Sequence, residues 1–132
     1  MSTLIMKFGG SAIGTVAALT QVVSIVLHEH KRWDRLLLVV SALDGITDML
    51  IEAANLAQVA NQRGYRRITA NLRTRHLAQI EQLPFGPHER KALEADVDRL
   101  LFEMLDECQR IANNPNTGLS AEVSDRIIGV GE

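Results

Sequence analysis

The run Lys7-Phe8-Gly9-Gly10-Ser11 stands where an apolar stretch gives way to helical spacing. A lysine beside paired glycines at such a junction suits an anion, phosphate above all. Glycines let the backbone come close to the ligand, a helix opening near Ile13 would aim free N–H groups and a positive dipole end at it, and Lys7 adds a full charge. A second run, Ser41-Ala42-Leu43-Asp44-Gly45-Ile46-Thr47-Asp48, has the same setting, with hydroxyls and carboxylates between an apolar stretch and another helix. The third is Ser124 to Glu132, where helical spacing puts Asp125, Gly129 and Glu132 on one face, so that an acid could reach a site past bare backbone.

Each segment also has a plainer reading. Paired glycines between a strand and a helix often only make a tight turn. Ser41, Thr47 and Asp48 are residue types that cap helices, and Gly-Glu at a helix end is a weak signal by itself. Gly9 and Gly14 have the spacing of a P-loop, but Thr15 and Val16 follow where a lysine and a hydroxyl residue are needed, and there is no G-x-G-x-x-G. From these residues alone, a phosphate site and a structural turn both stay open.

The elements that must position these segments read as strand, glycine turn, helix, strand. Leu4 to Phe8 is a short strand, Val16, Leu19, Val23, Val26 and Leu27 recur at helical spacing, and Leu36 to Val40 is a second apolar strand of the kind that is covered on both faces. A parallel βαβ unit over residues 1–50 follows, and two turns side by side at the carboxyl ends of parallel strands are where open α/β sheets bind ligands.

Residues 51–132 read as predominantly helical. One helix opens at Gly45 and Thr47 and ends at Gly64 acting as a C-terminal cap. Ile68, Leu72 and Ile80 mark another, which Pro84, Gly86 and Pro87 break. A third carries Leu93, Val97, Leu100, Leu101, Met104, Leu105, Cys108 and Ile111 on one broad stripe. Turn formers crowd Asn113 to Gly118, and Ser120 caps a last helix whose Gly129 and Gly131 imply either a close approach to its backbone or its end. Two parallel strands leave both outer sheet edges unpaired, so other chains or more of the protein must pair with them.

Composition bounds the function. The 132 residues, 46% apolar, suffice for one ordinary domain. A formal charge of −2 offers no global basic field for nucleic acid. Arg63, Arg66, Arg67, Arg73 and Arg75 cluster locally, but with Tyr65 as the one aromatic beside them a solvated helical face fits better than an RNA site. No apolar run spans a bilayer or makes a signal peptide, so a cytoplasmic protein with no membrane partner is expected. Cys108 reads as a small buried hydrophobe, and His28-Glu29-His30 lacks the H-E-x-x-H zinc spacing, so no metal site is expected.

Taken together and in this order, Lys7-Phe8-Gly9-Gly10-Ser11, Ser41-Ala42 with Gly45-Ile46-Thr47-Asp48-Met49-Leu50, and Asp125 with Gly131-Glu132 resemble the aspartate kinases of the amino acid kinase superfamily. The resemblance runs from about Leu4 to Glu132. The glycine turn is shared across the superfamily, whereas Ser-Ala-x-x-Gly-x-Thr-Asp points to the aspartate kinase branch, as do the long helices between Asn55 and Asn113. It implies an α/β fold, an incomplete form of the three-layer amino acid kinase fold, in which residues 1–132 form the amino-terminal, acceptor-binding part. The reaction implied is ATP and L-aspartate to ADP and 4-phospho-L-aspartate, in lysine, threonine and methionine biosynthesis. Lys7 would be catalytic and, with Gly9, Gly10, Ser11, Ser41 and Ala42, would face the phosphates. Thr47 and Glu132 would hold aspartate, Glu132 through its ammonium group.

Against the family's usual pattern, Ala12 stands where a serine or threonine is common, Asp44 adds a charge in a turn usually built from small or uncharged residues, and Gly129 occupies a place often taken by serine. In the family a nucleotide-binding half and regulatory domains follow the Gly-Glu motif, so a fragment is expected, inactive alone and without tight affinity for ATP or magnesium, and a homo-oligomer. The alternatives are a noncatalytic helical module that self-associates through the Leu93 to Ile111 stripe and its strand edges, and a superfamily member with another acceptor.

Overall fold

The computed structural model describes residues 1–114 and 120–131, an α/β arrangement whose elements fall into two compact units, Met1–Gly45 and Ile46–Gly131. In the first, strand β1 (Thr3–Phe8) leads through a single helical turn, α1 (Gly10–Ile13), into α2 (Val16–Glu29) and back to β2 (Arg35–Val40). The strands pair in parallel, Thr3 opposite Arg35 and Phe8 opposite Val40. Ser2 sets that register at its start, because its amide and hydroxyl both donate to Asp34 Oδ2, at 2.7 and 2.9 Å, while Arg35 N–H donates to the Ser2 carbonyl.

The single helix expected to open near Ile13 is two pieces. Gly14 is a poor helix former, and Thr15 takes an extended conformation in which its hydroxyl accepts the Ala18 amide at 3.1 Å, a new N-cap that restarts the helix. Leu4, Met6, Phe8 and Leu36 form the half-buried residues of the pair, whereas Ile5 is exposed and Leu37 to Val40 are each nearly half exposed. The continuous apolar run of β2 therefore lacks the two-sided cover its sequence calls for. Among the described residues the sheet has two strands, and each keeps one unpaired edge.

The second unit is helical: α3 (Ile46–Gln58), α4 (Gln62–Gln82), α5 (Pro87–Asn113) and α6 (Ala121–Gly129). Ala53, Ala54 and Ala57 are buried on α3, where small side chains let neighbouring helices approach closely. Leu50, Leu72, Met104, Cys108 and Ile127 complete a core without solvent access. Arg73 on α4 grips Asp98 on α5 with both nitrogens, Nε at 2.6 Å and Nη2 at 3.2 Å, fixing the level at which these helices lie against each other.

Gly64 does not end α3. That helix stops at Gln58, Ala60 makes the turn at φ 56°, and Gly64 sits in the first turn of α4, its amide donating to the capping Asn61 Oδ1 at 2.9 Å. A Cβ there would come 2.9 Å from Leu56 Cδ1, so the Leu56 side chain packs closely over this glycine at the α3–α4 corner. The 27 residues of α5 rise about 40 Å. Its Leu101, Met104, Cys108 and Ile111 are buried, so the apolar stripe is consumed largely within the unit. Ser120 caps α6 as its sequence suggests, accepting the Val123 amide at 3.2 Å. Gly129 is the last residue of α6, and among the described residues nothing approaches within 4 Å of a Cβ built on it, so of the two readings the end of the helix holds. Residues 115–119 of the expected turn lie outside the described residues.

Candidate active site

Both chemistry-bearing turns of the first unit follow the carboxyl ends of its parallel strands. Beyond β1, Gly9 is extended at φ −76° and ψ 173° and caps α1 through its carbonyl, which accepts the Ala12 amide at 3.0 Å, so the two amides that open α1, those of Gly10 and Ser11, receive no side-chain oxygen from their cap. The one-turn α1 has little macrodipole, so any pull on an anion here comes from individual N–H groups and Lys7 rather than from the helix dipole expected of a longer helix. Beyond β2, the parallel ladder continues one step, Ser41 N–H donating to the Phe8 carbonyl at 3.1 Å.

Gly10 is where the two turns meet. A Cβ at this position would lie 2.9 Å from the Ala42 carbonyl oxygen, 3.2 Å from the Asp44 amide nitrogen and 3.3 Å from Asp44 Cα. Those distances are shorter than van der Waals contact, and the obstructing atoms are backbone, so only glycine lets the second turn lie against the first. Gly14 supports the same arrangement, with a Cβ there 3.5 Å from Asp44 Cβ. Gly45 closes the second turn at φ 79°, in the left-handed region that favours glycine.

The structure thus brings Gly9, Gly10, Ser11, Ser41 and Ala42 into adjoining turns, with Ala42 buried, Ser41 half-buried, and Gly9 and Ser11 exposed. Lys7 is exposed on β1 opposite Val39 and makes no ion pair among the described residues, which leaves its ammonium group available to an anion. Among the described residues nothing stands within 4 Å of a Cβ at Gly9, and this space, amides without a side-chain cap and a lysine without an ion pair suit the phosphates of a nucleotide. Thr47 stands half-buried in the first turn of α3, in the second unit, and Glu132 lies outside the described residues. No group of three metal-binding side chains occurs among the described residues, so magnesium has no ready-made cage there. The role of Asp44 as the backbone against which Gly10 packs is not visible in sequence. The only local signal is its position between glycines of two turns.

A strand–glycine turn–helix with such a neighbouring turn is the opening of an amino acid kinase, and the chain belongs to the amino acid kinase family, whose model matches residues 2–119. Its relatives within that family are aspartokinases. It is 29% identical over 90 residues to that of Geobacillus stearothermophilus, covering 68% of this chain and 22% of the relative. With that of Pseudomonas aeruginosa it shares 40% over 55 residues, covering 42% of this chain and 13% of the relative. The fold matches Escherichia coli aspartokinase III, solved in complex with aspartate and ADP, at a TM-score of 0.77 and 23% identity, covering 100% of this chain and 26% of that one. The chain therefore spans about a quarter or less of the length of these proteins.

Proposed function

We propose that this chain forms the acceptor-binding, phosphate-facing part of a cytoplasmic aspartate kinase, which transfers the γ-phosphoryl group of ATP to the side-chain carboxylate of L-aspartate. The observation that carries the reading is the contact of Gly10 with the Ala42 carbonyl, which joins two turns rich in donors beside an unpaired lysine. In this reading a carboxylate oxygen of aspartate attacks the γ-phosphorus, the bond to the β-phosphate oxygen breaks, and ADP leaves with 4-phospho-L-aspartate as product.

Phosphoryl transfer of this kind depends on position and charge rather than on a protein nucleophile. Lys7 offsets the negative charge that builds on the moving group. Gly9, Gly10 and Ser11 supply backbone and hydroxyl donors, and Ser41 and Ala42 line the floor between phosphates and acceptor. Thr47 and Glu132 hold aspartate, the latter through its ammonium group. Magnesium bound with the nucleotide would supply charge neutralisation at the phosphates. Lysine, threonine and methionine biosynthesis is the pathway assigned by this reading.

Calorimetry tests it. Aspartate should bind the 132-residue chain weakly, in the millimolar range or above, and ATP with magnesium should give no useful affinity, because the remaining contacts to the nucleotide belong to the rest of the kinase. Micromolar ATP binding by this chain would overturn that division of labour. In a protein carrying this chain with a nucleotide-holding lobe, Lys7→Met should lower kcat about 10²- to 10³-fold, the range seen when one charge-stabilising group is removed.

A further inference from the structure

The antiparallel helices α4 and α5 leave a groove between them of about 710 Å³ on the surface of the second unit, floored by Thr69, Ala70, Leu101 and Leu105. Phe102 stands on its wall, 72% exposed. Phe102 is not part of the buried stripe of α5, and nothing in the helical periodicity explains a phenylalanine on the outward side. A large aromatic left in water beside an apolar groove forfeits a burial that a second surface could restore.

The charges along the two walls are of opposite sign. α4 carries five arginines, Arg63, Arg66, Arg67, Arg73 and Arg75, against a single acid, Glu81. α5 is acidic, with seven carboxylates against four basic residues. Arg66 makes no ion pair among the described residues. The Arg73–Asp98 bridge sets the level of one helix on the other, so two helical turns further along, Arg66 of α4 lies level with Asp106 of α5, an exposed carboxylate whose Oδ2 is 3.0 Å from Arg110.

We propose that this α4–α5 face is a self-association surface whose occupant is a second copy of this chain. A two-fold axis lying in the interface and parallel to the helices places the basic α4 of each copy on the acidic α5 of the other without changing the level along the axis. Arg66 then faces the other copy's Asp106, twice by symmetry, and each Phe102 enters the groove of its partner beside Ala70. The face is self-complementary in this orientation, whereas like helices laid on each other would set arginines against arginines. This inference stands on the helical unit alone and does not depend on the reaction assigned to the turns.

Sedimentation equilibrium on the full chain tests it. The wild type should form a dimer in a range up to ~200 μM, and Phe102→Ser should weaken it at least tenfold while leaving the helical circular dichroism unchanged, since Phe102 is exposed in the monomer. Should Phe102→Ser lose helical content, Ala70→Lys, at an exposed position on the α4 side of the groove floor, makes the same measurement. Arg66→Glu and Asp106→Arg should each be monomeric alone at concentrations where the wild type dimerises, yet an equimolar mixture should form a heterodimer, because each reversed charge then meets its opposite. A wild type that stays monomeric overturns the proposal. So does a Phe102→Ser chain that associates as tightly as the wild type, which would put the contact at the open strand edges, or a mixture that fails to recover.

Discussion

Replacing Gly10 by alanine sets two known effects against each other at one atom. Gly10 is the first residue of α1, and in a helix an unhindered Gly→Ala change stabilises by about 1 kcal/mol. Here the added methyl would stand 2.9 Å from the Ala42 carbonyl oxygen and 3.2 Å from the Asp44 nitrogen, so the second turn must retreat by roughly 0.5 Å from backbone that has no rotamer to change. Overpacking of this sort costs about 1–3 kcal/mol, which outweighs the propensity gain and leaves a net loss of up to about 2 kcal/mol. Gly9→Ala is the control, since nothing among the described residues lies within 4 Å of a Cβ there and its backbone is extended. The small entropic gain of that change and the small loss of a glycine cap should nearly cancel, leaving it within about 0.5 kcal/mol of wild type.

Urea unfolding followed by the fluorescence of Trp33 reads the effect in the right place, because this single tryptophan lies in the first unit with its indole N–H on Glu29 Oε2 at 2.9 Å. With a slope near 1 kcal/mol per molar urea, Gly10→Ala should lower the midpoint by up to about 2 M and Gly9→Ala should barely move it. The amide resonance of Asp44 should shift in Gly10→Ala and stay in place in Gly9→Ala. A Gly10→Ala chain about 1 kcal/mol more stable than wild type, as helix propensity alone dictates, would refute the argument that the two turns are locked through this glycine.

Two further outcomes follow from titrating groups. Burial pushes the Cys108 thiol up to about 11, with Glu107 adding to the rise. About one thiol in a thousand is then ionised at pH 8, and a disulfide reagent should label the native chain far more slowly than the urea-unfolded one. Because the folded value lies above the unfolded one, that contribution to stability is complete below about pH 8.5 and declines as pH rises toward 11, which alkaline unfolding curves of wild type and Cys108→Ala will separate. At the other end of the scale, the backbone amide of Ser2 and then its hydroxyl hold the Asp34 carboxyl below its ordinary value. Its stabilisation is present above about pH 4 and is lost as pH falls through the depressed folded value, so Asp34→Asn should flatten the acid limb of the Trp33 unfolding curve.

Much of this protein is legible one segment at a time. Apolar runs bounded by Gly9 and Ser41 mark both strands, Ser120 announces the start of α6, and Pro84 to Pro87 mark the break before α5. Cys108 reads as a buried hydrophobe from its place on a helical stripe, and it is buried. The glycine turn, the Ser-Ala turn and their order are enough to indicate the amino acid kinase family. Each of these signals is local, a matter of period, propensity or cap chemistry within a few residues.

The rest depends on residues far apart in the chain. Gly64 looks like a helix end, yet it lies in the first turn of α4, where the Asn61 side chain caps its amide and Leu56 packs across the corner. The split of the first helix turned on whether Thr15 or Gly14 would dominate, and the hydroxyl's bond to Ala18 decided it. Gly10 and Asp44 are both visible in sequence, but that one must lack a side chain for the other's sake appears only when parallel pairing sets their turns side by side. Phe102 differs from Leu101 by one position, and the 100° between successive helical residues puts one in the core and the other in water once neighbouring helices have chosen their side of α5. Sequence by itself determined which chemistry the turns could carry. Tertiary structure decided which of them touch, because contact between distant residues is set by packing and not by spacing along the chain.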